Sequence, residues 1–152
     1  MKETSVILKA SDVHNIVQKA NLKALCGKTH TEALMFHLKD KHVTATVAVD
    51  QDNHVRYLFW QPDLSKEFTC RYHDVLVIDC TYKTNAYNLP LLHILGLTCT
   101  NQTFSAAFGF MDGEAFNDYV WIISEVNGIL PRHQKVLVVD CDRGLIKAIS
   151  EK

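Results

Sequence analysis

The sequence has no apolar run long enough to cross a bilayer. Stretches such as residues 75–78 and 136–139 are only strand-sized. Nor does the opening Met-Lys-Glu-Thr-Ser lead into a signal-peptide core, so secretion is not expected. There is no basic surplus: 16 Lys and Arg against 17 Asp and Glu leave a formal net charge of −1. Duplex-binding modules usually carry such a surplus, because neutralising phosphates releases counterions. This chain alone is therefore expected to be a weak non-specific DNA binder. A CxxC pair is also missing. The five cysteines, Cys26, Cys70, Cys80, Cys99 and Cys141, are odd in number and widely spaced. With no export signal, that pattern reads as reduced, partly buried thiols in a cytosolic or nuclear chain. Internal repeats and low-complexity segments are absent too. What is present is ordinary globular material. The 152 residues are 47% hydrophobic and 22% charged, enough for one core with a small accessory region.

The first forty residues read as helical. Ser11 or Asp12 can cap a helix carrying Val13, Ile16, Val17, Ala20 and Leu25, with Gly27 ending it. Thr29 and Glu32 have capping-box spacing, ahead of Leu34, Met35 and Leu38 on one face. The period then changes to two. Val43, Ala45, Val47 and Val49 predict a half-buried strand, Asp50 to Asn53 a turn, and Val55, Tyr57 and Phe59 a return strand ended by Trp60-Gln-Pro-Asp63. A short helix over residues 64–72 leads on to strands at 75–82, 90–100 and 104–111. A helix at 114–127, closed by Gly128, then precedes a strand at 135–140, apolar enough to be covered on both faces, and a last helix at 143–150. Three strands on short loops, then helix, strand and helix, is a ribonuclease-H-like α/β order rather than a plain doubly wound one.

Two aspartates end two apolar strands. Asp79 sits in Val-Leu-Val-Ile-Asp79-Cys-Thr-Tyr, and Asp140 ends Val-Leu-Val-Val-Asp140 just before a helix. An ionised carboxylate among apolar neighbours loses several kcal/mol of hydration unless a cation or donors replace it. Carboxylates converging at one sheet edge suit Mg²⁺, which takes oxygen ligands and keeps several waters. A pair of such ions about 3.5–4 Å apart serves phosphodiester transfer. An aspartate at a strand end also caps the next helix or closes a turn. Asp142, nearer the last helix, is the better cap, and the spacing by itself leaves both roles open for Asp140.

A longer pattern surrounds these residues. Ile78-Asp-Cys-Thr-Tyr-Lys-Thr-Asn85, followed by Tyr87-Asn-Leu-Pro-Leu-Leu-His-Ile-Leu-Gly96, resembles the signature of the Mutator-like element (MULE) transposases. It is similar, too, to that of the plant far-red-response transcription factors derived from them. Ala107-Phe-Gly-Phe, the Glu114 to Trp121 segment and Val139-Asp-Cys-Asp-Arg-Gly-Leu-Ile-Lys-Ala-Ile149 follow in the family's order, with Val139 for the usual threonine and Gly144 for the usual alanine. The resemblance implies a ribonuclease-H-like transposase (DDE-type) core over residues 74–152, after an N-terminal helical region with a β-hairpin over residues 1–73. It implies metal-dependent DNA cleavage and strand transfer, with Asp79 and Asp140 as catalytic metal ligands for Mg²⁺ or Mn²⁺ and Asp142 as the alternative to Asp140. The family's third acidic residue, a glutamate on a later helix, would fall beyond Lys152, and Glu151 is too near Asp140 to replace it. The resemblance thus implies an incomplete catalytic core with apolar surface left open beside it. DNA as partner, homo-oligomeric assembly, a nuclear location and no membrane partner belong to the same reading. A domesticated, non-enzymatic nuclear regulator is the second reading, and an unrelated nuclease on the same fold the third.

Other residues have blander explanations. Cys70-Arg-Tyr-His73 has ligand-like spacing, with His37 and His42 as imaginable partners, but no second cysteine pair completes a zinc set. Alternation turns Cys80 and Cys141 away from the neighbouring carboxylates, as small core residues. Lys83, Thr84 and Asn85 suit a turn or a phosphate contact, His93 a satisfied core histidine, and Trp121 the core.

Overall fold

A computed structural model describes residues 23, 25, 27–40, 43–82, 85 and 87–151. Two compact units divide the chain, Met1–Lys41 and His42–Lys152. The helix expected over residues 13–20 with its Ser11 or Asp12 cap lies outside the described residues, as do Cys26, His42, Lys83 and Thr84. In the first unit, α1 (His30–Asp40) starts on the expected capping box. The Thr29 N–H donates to Glu32 Oε2 at 2.8 Å, and the Glu32 N–H donates to Thr29 Oγ1 at 3.2 Å. Each group satisfies a donor that the first helical turn would otherwise leave unpaired.

The second unit is a mixed α/β layer. Its elements are β1 (Thr44–Val49), β2 (Val55–Gln61), α2 (Asp63–Arg71), β3 (Val75–Thr81), β4 (Leu91–Leu97), β5 (Thr103–Phe110), α3 (Phe116–Ile129), β6 (Val136–Val139) and α4 (Arg143–Ser150). All six strands share one sheet, in the order β1-β2-β5-β4-β3-β6. Every pairing is antiparallel except that of β3 with β6. The sheet runs across the 73/74 boundary drawn from the sequence, because β2 pairs with β5 through Leu58↔Phe110, Phe59↔Gly109 and Trp60↔Phe108.

Strand alternation sorts side chains onto the two faces. Leu76, Ile78, Leu92, Ile94 and Phe59 point to one face, where they form a core with Tyr119, Ile122, Ile123 and Val126 of α3 and Leu145 and Ala148 of α4. The start of α3 is tied to β2 through Asp118, a buried carboxylate. It accepts from Tyr57 Oη at 2.5 Å and from the Ala115 N–H at 2.8 Å. Turn chemistry is equally local. Asp50 Oδ1 accepts from the N–H groups of Asp52 and His54, and Asn53 takes the left-handed conformation (φ 64°) that closes the β1–β2 hairpin.

Three of the expected elements need correction. β1 is a mostly exposed edge strand rather than a half-buried one, since only β2 pairs with it. α3 begins at Phe116, not at Glu114, and runs through Gly128 to Ile129, with Leu130 as its cap ahead of Pro131. β6 is not covered on both faces. It is the opposite edge strand, and Val136 and Val138 are each 49% exposed on the face turned away from α3 and α4. A run of four valines and leucines reads the same whether one face is covered or two, which is why periodicity alone misjudged it.

Gly109 marks the closest approach of β5 to α3: a Cβ there would lie 2.2 Å from Ile122 Cδ1, and Ile122 is fully buried. Gly109→Ala should therefore lower unfolding free energy by about 1–3 kcal/mol through overpacking. Combining it with Ile122→Val, which removes the opposing methyl, should return part of that loss. Urea melts of the two single variants and the double check this, and strictly additive losses would refute the packing account.

Candidate metal and phosphodiester site

β3 and β6 lie side by side and parallel, in the register Val75↔Val136, Leu76↔Leu137, Val77↔Val138 and Ile78↔Val139. One step further along both chains stand Asp79 and Asp140. Adjacent strands are about 4.8 Å apart, and Asp79, within β3, and Asp140, the residue that follows β6, each come directly after the last pair of that ladder. Asp79 is exposed, and its Oδ2 accepts from Thr81 Oγ1 at 3.1 Å. Asp140, also exposed, accepts from the Cys141 N–H at 2.6 Å. Among the described residues neither carboxylate enters a salt bridge.

Asp142 has a different task. Its Oδ1 accepts from the Leu145 N–H at 2.9 Å, making it the N-cap of α4, as its position suggested. Asp140 and Asp142 both line a cavity of about 290 Å³ with Ile78, Cys80, Tyr82, Glu114, Tyr119, Cys141 and Leu145; Asp79 is not part of that lining.

Glu114 is the residue that sequence reading passed over. Taken for the first turn of a helix, it sits in the loop before α3 and accepts from Cys80 Sγ at 3.1 Å and from the Tyr82 hydroxyl. It thus fastens the end of β3 from a point 34 residues away. No local pattern announces such a contact. Burial, followed by the Glu114 carboxylate, pushes the Cys80 thiol up to about 12. For Tyr82, Glu114 is the first cause and burial the second, again giving about 12. Cys80 packs against the core as expected. Cys141 does not: it is exposed, because the chain bends away from the sheet directly after β6.

On the face that bears Asp79, cross-strand partners form a row. Trp60 pairs with Phe108, Phe108 with His93, and His93 with Asp79. The Trp60 and Phe108 rings stack at 5.3 Å between centroids, and those of His93 and Phe108 at 4.5 Å. His93 Nε2 also meets Ser105 Oγ at 2.9 Å, so this histidine is satisfied within the sheet, as expected. Burial lowers its pKa, and the Asp79 carboxylate opposes that shift. His73, from the Cys70-x-x-His73 spacing, is buried and engaged with protein groups. Its Nδ1 lies 3.0 Å from the Cys70 carbonyl and its Nε2 accepts from Arg132 Nε at 2.7 Å. Among the described residues the one trio of ligand-type side chains within mutual reach is Asp50, Asp52 and His54, whose first carboxylate already serves the hairpin turn. No described helix is long and apolar enough to cross a membrane.

The family model described as the MULE transposase domain matches residues 75–152. Among curated proteins, the chain is 26% identical to Protein FAR1-RELATED SEQUENCE 6 of Arabidopsis thaliana, over 83% of this chain and 17% of that protein. It is 27% identical to Protein FAR-RED IMPAIRED RESPONSE 1 of the same plant, over 69% of this chain and 13% of that protein. A PKS-NRPS hybrid synthetase, cheA, of Chaetomium globosum is 28% identical over 99% of this chain, which corresponds to 3% of that protein. The chain spans less than a fifth of the length of these relatives. No solved structure matches it.

The raised pKa values have a consequence at alkaline pH. The folded protein holds the protons of Cys80 and Tyr57 more tightly than the unfolded chain does, with Tyr57 pushed up to about 12, first by its bond to Asp118. Their contribution to stability is whole below the ordinary values of 9.0 for the thiol and 10.0 for the phenol, and drains as pH rises toward 12. Urea midpoints measured across that window should fall, and the fall should be shallower in Glu114→Gln, which takes a carboxylate away from Cys80. A midpoint independent of pH there would contradict the arrangement.

Proposed function

The chain belongs to the MULE transposase domain family, and on that footing we propose that Asp79 and Asp140 bind Mg²⁺ or Mn²⁺ for phosphodiester chemistry on DNA. One observation carries the reading: the parallel register of β3 and β6, whose last pair, Ile78↔Val139, directly precedes residues 79 and 140. The connectivity supports it. A β3-β4-β5 meander, then α3, then β6 returning parallel to β3 on its free edge, is the order a ribonuclease-H-like core would have.

The donor set fits the ion. Both residues offer carboxylate oxygens, the ligands hard divalent cations take, and both are exposed, leaving room for the waters such ions retain. No cationic side chain among the described residues competes for them through a salt bridge. A bound ion would supply charge stabilisation at a phosphoryl oxygen and a water of lowered pKa. The chain's own part is to hold the two carboxylates. β3 is anchored on β4 through Asp79↔His93, and the end of β3 is fastened by Glu114 through Cys80 and Tyr82. Asp142, occupied in capping α4, is the weaker candidate for the second ligand.

A second reading is a non-enzymatic nuclear regulator that keeps the fold for interaction. It is favoured by the likeness to two plant proteins, one of them named for an impaired far-red response. Metal binding separates the readings at the level of residues. Titrating Mn²⁺ by calorimetry or electron paramagnetic resonance, Asp79→Asn and Asp140→Asn should each weaken binding by about tenfold or more. Asp142→Ala should leave Mn²⁺ affinity unchanged while lowering stability by about 1 kcal/mol through the lost cap. Equal affinity in the wild type, Asp79→Asn and Asp140→Asn would overturn the metal site and leave the regulator reading standing.

A further inference from the structure

Two residues beyond the last pair of the β3–β6 ladder, Ile78↔Val139, stand Cys80, still within β3, and Cys141, in the bend that follows β6. Residues paired across parallel strands point to the same face. Ile78, Val139 and Cys80 all pack against the α3–α4 core. Both cysteines line the cavity bounded by Glu114, Tyr119 and Leu145. Both are free thiols. A disulfide between them needs their Cα atoms brought to about 4.4–6.8 Å. Cys141 also lies in the bend between β6 and α4, outside the hydrogen-bonded ladder, where its backbone can rotate to meet the dihedral preference of the bond.

We propose that Cys80 and Cys141 form a reversible oxidation site, closing an intrachain disulfide across the ends of β3 and β6 when the protein meets a peroxide. The exposed Cys141 thiol reacts first, taking one oxygen from the peroxide to become a sulfenic acid and releasing water. Cys80 then attacks that sulfur. The S–O bond breaks, the S–S bond forms, and the hydroxyl leaves as a second water with the Cys80 proton. In forming this bond Cys80 gives up its contact to Glu114 Oε1. The cross-link joins the residues directly following Asp79 and Asp140, and so holds the spacing of the two strand ends constant. The site goes beyond the metal reading and does not depend on it.

The experiment treats the full chain with a small excess of hydrogen peroxide, blocks remaining thiols with iodoacetamide in denaturant and maps the digest by mass spectrometry. The expected result is loss of two of the five alkylatable thiols, an intact mass lower by two hydrogen atoms, and one peptide pair joining Cys80 to Cys141 that dithiothreitol separates. In Cys141→Ser, whose replaced side chain is exposed, Cys80 should remain fully alkylatable after peroxide. In Cys80→Ser, Cys141 should accumulate a dimedone-reactive sulfenic acid. The proposal is overturned if Cys141 advances to the sulfinic acid while Cys80 stays alkylatable. It is equally overturned if the disulfide joins Cys70 or Cys99, or if links form only between chains. Mn²⁺ titration of the oxidised protein is a separate readout, so failure of the metal reading leaves the thiol result intact.

Discussion

Two parallel strands cannot be joined by a hairpin, and the pairing of β3 with β6 therefore has to be closed through a long excursion of the chain. Between Thr81 and Val136 lie β4, β5 and α3, the whole middle of the core. The pairing is secured where it begins. The Asp74 carbonyl accepts from the N–H groups of both Lys135 and Val136 at 2.9 Å, and the Asp74 carboxylate takes the Lys135 ammonium at 2.9 Å. Lys135 holds that carboxyl below its ordinary pKa. Once the register starts there, the alignment of the far end is a matter of counting residues.

The result is a division of chemistry between the two faces of one strand. Along β3, Leu76, Ile78 and Cys80 turn into the helical layer, whereas Val77, Asp79 and Thr81 turn away from it. The same period sets Cys80 on the helical side and Asp79, one residue earlier, on the other. A slip of one residue between β3 and β6 would drive Val77 or Val138 into the core and carry the carboxylates with them, so the burial of Leu76 and Ile78 protects the alignment. Fully burying an aliphatic side chain of this kind stabilises by about 1.5–3 kcal/mol, far more than a typical surface ion pair.

The edge position of β6 is the other consequence. Val136 and Val138 present apolar surface on the face opposite α3 and α4, along the strand that precedes Asp140. The row Trp60, Phe108 and His93 leads across that same face to Asp79. Rigid stacked rings on a sheet restrict how β4 can move and therefore how Asp79, paired with His93, can shift.

Much of this was legible from residues alone. Period-two alternation located β1 and β2, Thr29 with Glu32 announced a capped helix, Asp50 to Asn53 a turn, Asp142 the cap of α4, and the segment from Val77 to Asn85 the family. These features are local, encoded within a few residues of one another, and local order is what propensity and periodicity report. Tertiary structure alone decided the rest. It made β6 an edge strand, brought Glu114 onto Cys80 and Tyr82, and left Cys141 exposed. Each of these depends on which strand pairs with which, and in what register, across gaps of tens of residues. A sequence shows which side chains can line a sheet; only the closed sheet determines which of them meet.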